Sequence, residues 1–260
     1  MPYFTSNSLK LYYEDTGSGP PLLLFPPPAL GSSPFIPQQE ALPDGIRLLT
    51  FHPRGNGYSE TDGEETIRSW ADDAAALLDH LDIQQASLCG YSMGGAPVQD
   101  FAIRYPERTA CLLLLCTFPE VNTKLLEKKI SLGELLTQNR WTGFLGRALG
   151  TTHSARTDIE RNVWGTAEQS DPEAIRRLYT SGRHFTALPQ LASVQSPVYY
   201  IYGRWDPIAL PYVNQYKSVI PHARFIRISE GFHQLPTRAS SQVNSIIRSI
   251  VREEETPHAD

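Results

Sequence analysis

Short apolar runs alternate along the chain with longer segments in which apolar residues recur every three to four positions. This alternation is typical of parallel strands joined by crossover helices. Two of the runs, CLLLLC and PVYYIY, are continuously apolar, as strands buried on both faces of a sheet require. The pattern therefore predicts an α/β fold with strands at residues 9–14, 22–25, 46–51, 86–89, 111–116, 198–202 and 224–228.

The clearest predicted helix spans residues 65–81, where apolar side chains from Ile67 to Leu81 fall on one face. The alternation stops between Phe118 and Leu191, where no strand-like run occurs and several short helices are predicted between glycine, threonine and proline residues. We interpret this segment as a helical lid inserted into the core. The predicted organisation is a core of residues 1–118 and 191–252, a lid of residues 119–190, and a flexible polar tail of residues 253–260.

Composition narrows the class of protein. With 260 residues, 40% of them hydrophobic, the chain can bury one sizeable core, and a net charge of −5 argues against nucleic-acid binding. Cys89, Cys111 and Cys116 form neither a paired framework nor a C-x-x-C metal motif, and the amino terminus lacks the pattern of a signal peptide. We expect a cytoplasmic protein without a metal that contacts neither nucleic acid nor a membrane. The pattern does not predict the oligomeric state.

A candidate nucleophile lies in the stretch SLCGYSMGGAP, residues 87–97, where Ser92 has glycines on both sides. A predicted strand precedes it and a helical segment follows, so the serine lies on a tight strand-to-helix turn. Such a turn raises the hydroxyl above the sheet edge. It also leaves the Met93 N–H at a helix N-terminus without a helical partner, where negative charge is favoured. A G-x-S-x-G pentapeptide is a weak signal by itself, but this context predicts a nucleophile.

A serine hydroxyl needs a base, and the base needs an acid that orients it. Asp206 follows the strand PVYYIY and His233 follows the strand ARFIRI, each in a loop at the strand's carboxyl end, where the sites of parallel sheets gather. The order Ser92, Asp206, His233 is the one associated with this type of turn. Glu120, just after CLLLLC, is a reserve candidate for the acid. The structural alternative for Asp206 is a turn carboxylate ahead of proline.

The other histidines lack this placement. His52 follows the strand RLLTF and opens the glycine-rich loop HPRGNGYS. We interpret it as holding that loop by hydrogen bonding, with titration beside a pocket as the alternative. The remaining five are interpreted as structural: His80, His153, His184, His222 and His258.

These motifs together resemble those of the α/β-hydrolase superfamily, from about Leu9 to about Ile247. LCGYSMGG with QDFAIRYPER is similar to the family's nucleophile strand, turn and helix, and HPRGNGYS to its glycine-arginine loop. SPVYYIYGRWDPI and SEGFH are similar to its acid and histidine segments. The most similar small lidded members include enol-lactonases, carboxylesterases and carbon-carbon bond hydrolases. The resemblance implies an eight-stranded, mostly parallel sheet and a triad of Ser92, Asp206 and His233.

The resemblance also implies that two backbone N–H groups bind the oxyanion, one of them that of Met93. The second follows the third strand, where the family's His-Gly is replaced within LLLFPPPALGSS. If the position of this second donor is counted back from Gly31, it falls on Ala29, with Leu30 as the alternative. If it is counted forward from Leu24, it falls on Pro28, which has no N–H. His52 is a second departure, since relatives usually have aspartate there.

We therefore expect a serine hydrolase that cleaves an ester or lactone of a small organic molecule through an acyl-enzyme, without a cofactor. One alternative is a non-hydrolytic lyase or cyclase with His233 as general base, which the proline-rich oxyanion loop motivates. A carbon-carbon bond hydrolase is a further alternative. A ligand-binding protein that merely retains the fold is disfavoured by the intact triad. Four lid aromatics are candidate substrate-binding residues: Trp141, Phe144, Trp164 and Phe185.

Overall fold

The computed structural model describes residues 2–153 and 156–255. Within them, eight strands form one sheet. The strands are β1 (Tyr3–Ser6), β2 (Leu9–Thr16), β3 (Pro21–Phe25), β4 (Arg47–Phe51), β5 (Ala86–Tyr91), β6 (Thr109–Leu115), β7 (Val198–Gly203) and β8 (Arg224–Ile228). Their order across the sheet is β1-β2-β4-β3-β5-β6-β7-β8.

The sheet is mostly parallel. β2 pairs antiparallel with both β1 and β4, and every other pair of neighbouring strands is parallel. This arrangement confirms the α/β class and the eight-stranded sheet predicted above. β1 was not among the strands predicted from the apolar pattern, because its four residues only alternate between exposed and buried positions.

The register aligns the carboxyl ends of the parallel strands. Phe25 of β3 is opposite Gly90 of β5, and Gly203 of β7 is opposite Ile228 of β8. All six residues of β5 are buried, so this strand lies in the centre of the hydrophobic core. The loops that follow β3, β5, β7 and β8 therefore leave the sheet along one edge.

Eleven helices accompany the sheet in the described residues. They are α1 (Ile36–Ala41), α2 (Ile67–His80), α3 (Gly95–Arg104), α4 (Lys124–Gln138), α5 (Thr142–His153), α6 (Thr157–Gln169), α7 (Pro172–His184), α8 (Leu188–Leu191), α9 (Val213–Val219), α10 (Leu235–Arg238) and α11 (Ser240–Glu255). α2 begins two residues later than predicted, because Thr66 and Ser69 cap it reciprocally. Each side chain accepts the other residue's backbone N–H at 2.9 Å.

Five helices, α4 to α8, lie between β6 and β7 in the described residues, and α4 to α7 make up most of this segment. α5 packs against α6 and α4 packs against α7. Helices α4 to α7 confirm the prediction of several helices, and threonine or proline stands at or just before the first residue of each. They have 12 to 15 residues and glycine does not separate them, so the prediction is wrong in their length and in the role of glycine. Gly133 and Gly146 lie inside helices, since a Cβ there would collide with Tyr179 and with Ala167 of the facing helices. The assignment of residues 119–190 to a separate lid stays a prediction.

The described residues include the first part of the predicted tail and all three cysteines. Residues 253–255 end α11, whereas residues 256–260 of the predicted tail, with His258, lie outside the described residues. The three cysteines are buried free thiols. Among the described helices, none has both the length and the hydropathy needed to cross a bilayer.

Candidate active site

Ser92 lies where β5 passes into α3. Its backbone φ is +52°, in the left-handed region that side chains other than glycine rarely adopt. A short 3-10 turn of residues Ser92–Gly94 follows and leads directly into α3. The serine is thus held in a strained conformation at the carboxyl edge of the sheet, and such strain is concentrated at functional sites.

Two glycines after the serine allow this turn to pack closely. A Cβ at Gly94 would collide with the carbonyl oxygen of Phe25, and one at Gly95 would collide with Thr117 Oγ1. The Thr117 hydroxyl in turn donates a hydrogen bond of 2.6 Å to the carbonyl oxygen of Ser92. The glycines therefore let β3 and the loop after β6 support the turn from two directions.

A continuous chain of hydrogen bonds connects Ser92, His233 and Asp206. Ser92 Oγ lies 2.9 Å from His233 Nε2, and His233 Nδ1 lies 2.9 Å from Asp206 Oδ2 and 3.1 Å from Oδ1. The loops after β5, β7 and β8 supply the three side chains, so the structure brings the predicted residues together. The imidazole is oriented on one side by a carboxylate and faces a hydroxyl on the other.

The Asp206 carboxylate is completely buried. Burial by itself raises the pKa of Asp206, but the hydrogen bond and charge of His233 and the backbone donors outweigh it, so the net pKa lies below the ordinary value. Those donors are the N–H groups of Ile208 and Ala209, at 2.8 Å and 3.2 Å from Oδ1. Asp206 therefore caps the following turn and orients the imidazole as an anion. The reserve acid, Glu120, instead accepts hydrogen bonds from Asn122 and Thr186.

The oxyanion site differs from the prediction at Ala29. Its N–H donates a 2.8 Å hydrogen bond to Asn56 Oδ1 and is therefore already used, and its φ is +69°. The alternative, the Leu30 N–H, faces the Pro27 carbonyl oxygen at 3.4 Å. Because proline has no N–H, Pro27 and Pro28 supply no donor where they line the cavity beside Ser92.

The Met93 N–H remains as a backbone donor at this site. Met93 lies in the first turn after the nucleophile, where backbone N–H groups have no partner within the helix. The expected pair of donors, Met93 and Ala29, is thus reduced to Met93. The sequence carried no signal that Asn56 would bind the other one.

His52 lies behind the oxyanion loop and is almost completely buried. Its ring stacks on Tyr58, and its Nδ1 accepts the Tyr58 N–H at 3.4 Å. A Cβ at Gly31 would press against the imidazole, so the ring packs directly on the loop. Burial lowers the pKa of His52 to about 4, which keeps it neutral at pH 7. The hydrogen bond from Tyr58 agrees with the interpretation that His52 holds the glycine-rich loop HPRGNGYS, to which Tyr58 belongs.

A cavity of about 280 Å³ opens at Ser92 and His233. Its wall is mainly apolar: Pro27, Pro28, Leu30, Met93, Phe118, Leu126, Ile130, Leu132, Leu136, Phe144, Leu145, Ala148, Leu149 and Ile208. Besides Ser92 and His233, the polar contributors are Tyr91, Lys129, Thr152, His153, Tyr179 and Gln234. Such a pocket favours a small organic molecule that is largely apolar.

The lid aromatics proved a poor guide to this cavity. Phe144 lines it, but Trp141, Trp164 and Phe185 do not. Trp141 is 59% exposed, and Phe185 packs against the main core. The cavity lining gives their predicted role in substrate binding no support, so that role stays a prediction, because aromatic character alone does not tell which face of a helix borders the site. His153, interpreted as a structural histidine, lines the cavity instead.

Cys116 lies next to the triad. Its Sγ, the Asp206 carboxylate and a His233 nitrogen lie within 4.8 Å of one another. Burial raises the pKa of the Cys116 thiol well above its ordinary value, so the sulfur stays protonated. Both His233 nitrogens already face Ser92 and Asp206. The arrangement therefore suits a proton relay better than a metal centre, which needs thiolate and free imidazole ligands.

The sequence matches a family model described as alpha/beta hydrolase fold over residues 20–236. The 3-oxoadipate enol-lactonase 2 of Acinetobacter baylyi is 31% identical over 235 residues, which cover 80% of this chain and 82% of that protein. Two other curated relatives align over 44% and 40% of their own lengths.

Solved structures show the same fold. The enol-lactonase from Burkholderia xenovorans LB400 superposes with a TM-score of 0.85 at 21% identity, covering 96% of this chain and 100% of that one. A malate-bound thermophilic esterase from Thermogutta terrifontis gives a TM-score of 0.85 at 24% identity, covering 98% and 99%. At these identities the superpositions are evidence for the fold alone.

The family model spans most of the chain, and the enol-lactonase alignment covers most of both proteins. Together they confirm the family that the motifs predicted and the prediction of a hydrolytic enzyme. The chain belongs to the alpha/beta hydrolase family.

Proposed function

We propose that the protein is a serine hydrolase that cleaves an ester or lactone of a small, largely apolar organic molecule through an acyl-enzyme. The observation that carries the proposal is the unbroken hydrogen-bond chain from Ser92 Oγ through His233 to Asp206. A serine hydroxyl is a weak nucleophile, and a positioned imidazole removes its proton as it attacks. The buried carboxylate holds that imidazole in the tautomer whose Nε2 is free to accept.

The reaction follows from this geometry. Ser92 Oγ forms a bond to the substrate carbonyl carbon while its proton passes to His233 Nε2. The Met93 N–H donates to the oxygen that becomes negative. His233 then gives its proton to the departing alkoxide, which leaves as the alcohol, or stays attached if the substrate is a lactone. Water activated in the same way releases the acid and restores Ser92.

A second candidate function is favoured by the oxyanion loop. None of its three prolines, Pro26 to Pro28, has an N–H, and Ala29 gives its N–H to Asn56. Loss of one oxyanion donor costs a serine hydrolase about 2.7–4 kcal/mol. A non-hydrolytic lyase or cyclase, in which His233 acts as general base and Ser92 only hydrogen-bonds, avoids that cost.

Covalent labelling distinguishes the two candidates. We expect a fluorophosphonate to label Ser92 stoichiometrically, as seen by peptide mass spectrometry. On a panel of aryl esters, enol-lactones and vinylogous diketones, Ser92→Ala lowers kcat/KM by about a thousandfold or more. Ser218→Ala, at an exposed position in α9, serves as the matched control and keeps both labelling and turnover. Absence of labelling at any reagent concentration, with turnover that depends on His233 alone, contradicts hydrolysis and supports the second candidate.

A further inference from the structure

His153, the last residue of α5, is a buried imidazole that the proposed mechanism does not use. It is 3% exposed, yet it contributes to the wall of the cavity that contains Ser92 and His233. Its Nε2 lies 3.5 Å from Tyr91 Oη, and its Nδ1 lies 3.4 Å from Thr237 Oγ1. Both separations are at the long end of the hydrogen-bond range, so these contacts are weak and a polar group of a ligand can displace one of them.

The neighbouring groups decide which nitrogen carries the hydrogen. The Thr237 hydroxyl donates to the carbonyl oxygen of Gln234 at 3.2 Å, so it accepts from His153 Nδ1–H. Nε2 then carries the lone pair and faces the Tyr91 O–H. Burial lowers the pKa of His153 to about 3, and the charges of His233 and Arg238 act in the same direction. The ring is therefore neutral at pH 7.

Tyr91 and His153, which both contribute to the cavity wall, place one donor and one acceptor side by side. Tyr91 Oη donates, His153 Nε2 accepts, and Tyr91 immediately precedes the nucleophile, with its ring centroid 5.7 Å from that of His233. A hydroxyl group both accepts and donates, so one that approaches from the cavity can contact both atoms at about 2.8 Å each and replace their long direct contact. The apolar side chains of Leu145 and Leu149 line the same cavity.

We propose that Tyr91 and His153 form a hydroxyl-binding pair, and that the preferred substrate is an ester or lactone that carries a free hydroxyl group besides its scissile bond. This proposal rests on the proposed function, since it names the substrate class of the same site. The competing explanation is that His153 only fastens the lid. Arg238 Nε donates to the Thr152 carbonyl oxygen at 2.8 Å, which shows that α5 is also fastened next to it.

Substrate selectivity distinguishes the two possible roles of His153, which are binding a substrate hydroxyl group and holding α5 in place. The substrates are p-nitrophenyl esters of hexanoic, 2-hydroxyhexanoic and 3-hydroxyhexanoic acid, with 1,3-propanediol monohexanoate against propyl hexanoate for the alcohol side. Each kcat/KM is divided by the rate of alkaline hydrolysis, which removes differences in intrinsic reactivity. We expect at least one hydroxylated ester to be preferred roughly tenfold, the size of a well-formed hydrogen bond.

The variants are Tyr91→Phe, which removes a single oxygen atom, and His153→Phe. We expect each to reduce the preference to about onefold. His184→Phe is the matched control, an exposed lid histidine at the end of α7 that does not line the cavity, and it keeps the wild-type preference. If His153→Phe fails to fold, Tyr91→Phe still decides. The proposal is overturned if the wild type prefers no hydroxylated ester, or if its preference persists in Tyr91→Phe.

A binding measurement tests the hydroxyl-binding pair without relying on hydrolysis, so its outcome can be distinguished from that of the proposed function. Calorimetry on Ser92→Ala with hexanamide and with its 2-hydroxy and 3-hydroxy derivatives needs no turnover. We expect at least one hydroxylated amide to bind roughly tenfold more tightly, and this difference to disappear when Tyr91→Phe is added. A wild-type protein that hydrolyses no ester contradicts the proposed function, and the amide affinities then decide on the hydroxyl-binding pair by themselves. Equal affinities for all three amides overturn it.

Discussion

The two carboxylate oxygens of Asp206 have different partners. Oδ1 accepts the N–H groups of Ile208 and Ala209, whereas Oδ2 is the closer oxygen to His233 Nδ1. A buried acceptor that faces two backbone donors cannot be exchanged for a donor without a large cost. The backbone therefore decides how an amide at this position orients.

Asp206→Asn is expected to disable the imidazole while preserving its position. The amide oxygen takes the Oδ1 site, so the amide nitrogen donates towards His233 Nδ1. This forces the hydrogen onto Nε2, which then cannot accept the Ser92 proton. We expect kcat for an ester to fall by about 10³–10⁴-fold. The measurement is steady-state kinetics together with the rate of fluorophosphonate labelling.

Asp44→Asn, at an exposed position before β4, is the control for the loss of one negative charge and should retain full activity. A change below tenfold in Asp206→Asn, with a circular dichroism spectrum like that of the wild type, would assign the orienting role to another group.

The three residues of the proposed triad could be placed from the sequence, because each one follows a recognisable apolar strand. The bonding of the Ala29 N–H could not be predicted, since this group donates to Asn56, 27 positions away. The position of His153 in the cavity was equally hidden. It depends on contacts with Tyr91 and Thr237, at sequence separations of 62 and 84 residues. Motifs indicate which strand ends hold functional side chains, but not how distant side chains occupy a backbone donor.

At the scale of the element, the start of α3 depends on the loop after β6. Thr117 Oγ1 bonds to the Ser92 carbonyl oxygen and lies where a Cβ of Gly95 would be. Gly94 faces backbone instead, the carbonyl oxygen of Phe25, which has no room to move. The neighbour of Gly95 is a side chain that can be replaced by mutation, whereas the neighbour of Gly94 is backbone that cannot.

Gly95→Ala is expected to destabilise the protein by about 1–3 kcal/mol through overpacking against Thr117. Adding Thr117→Ala should recover only part of this loss, about 1 kcal/mol, because it removes Oγ1 and Cγ2 from the contact while the Cβ of residue 117 stays 2.5 Å from the new methyl group. The measurement is the free energy of unfolding in urea for both single variants and the double variant, combined in a double-mutant cycle.

Gly165→Ala is the matched control, a helical glycine in α6 with no neighbouring atom within 4 Å of an added Cβ, and it should be neutral or slightly stabilising. Additive effects of Gly95→Ala and Thr117→Ala would show that this contact does not limit the turn.

The elements themselves were predicted unevenly, for physical reasons. The buried parallel strands produced continuous apolar runs, and the pattern located them. β1 has four residues and only two buried side chains, Phe4 and Ser6, so it gave no run. Glycine was taken as a helix breaker in the lid, yet Gly133 and Gly146 lie within helices because a neighbouring helix packs on them. Tertiary packing outweighs local propensity at those positions.

At the scale of the whole molecule, two buried neutral histidines beside the site make the free energy of unfolding depend on pH. His52 packs against the loop at Gly31, and His153 joins the end of α5 to the end of β5. Burial lowers the pKa of His52 to about 4, although the nearby Glu14 carboxylate opposes the shift, and lowers that of His153 to about 3. The unfolded chain keeps the ordinary value of 6.5, so it binds protons at a pH where the folded protein does not.

The protein should therefore lose stability as the medium becomes mildly acidic. A lowered histidine pKa contributes stability that is fully present above pH 6.5 and declines as the pH falls towards the folded value, by at most about 1.4 kcal/mol per pH unit for each group. Between pH 7.5 and 5.0 we expect the free energy of unfolding to fall by roughly 2–4 kcal/mol, measured by urea denaturation. The lowered pKa of Asp206 acts only below this range.

His52→Gln isolates one of the two contributions. It removes a group that titrates but keeps a polar side chain, so the loss between pH 7.5 and 5.0 should shrink by about 2 kcal/mol even if the variant is less stable throughout. His184→Gln, at an exposed position, should show the wild-type loss. Equal losses in wild type and His52→Gln would mean that the buried ring takes up its proton without unfolding, and that the loop behind the nucleophile opens to water in mild acid.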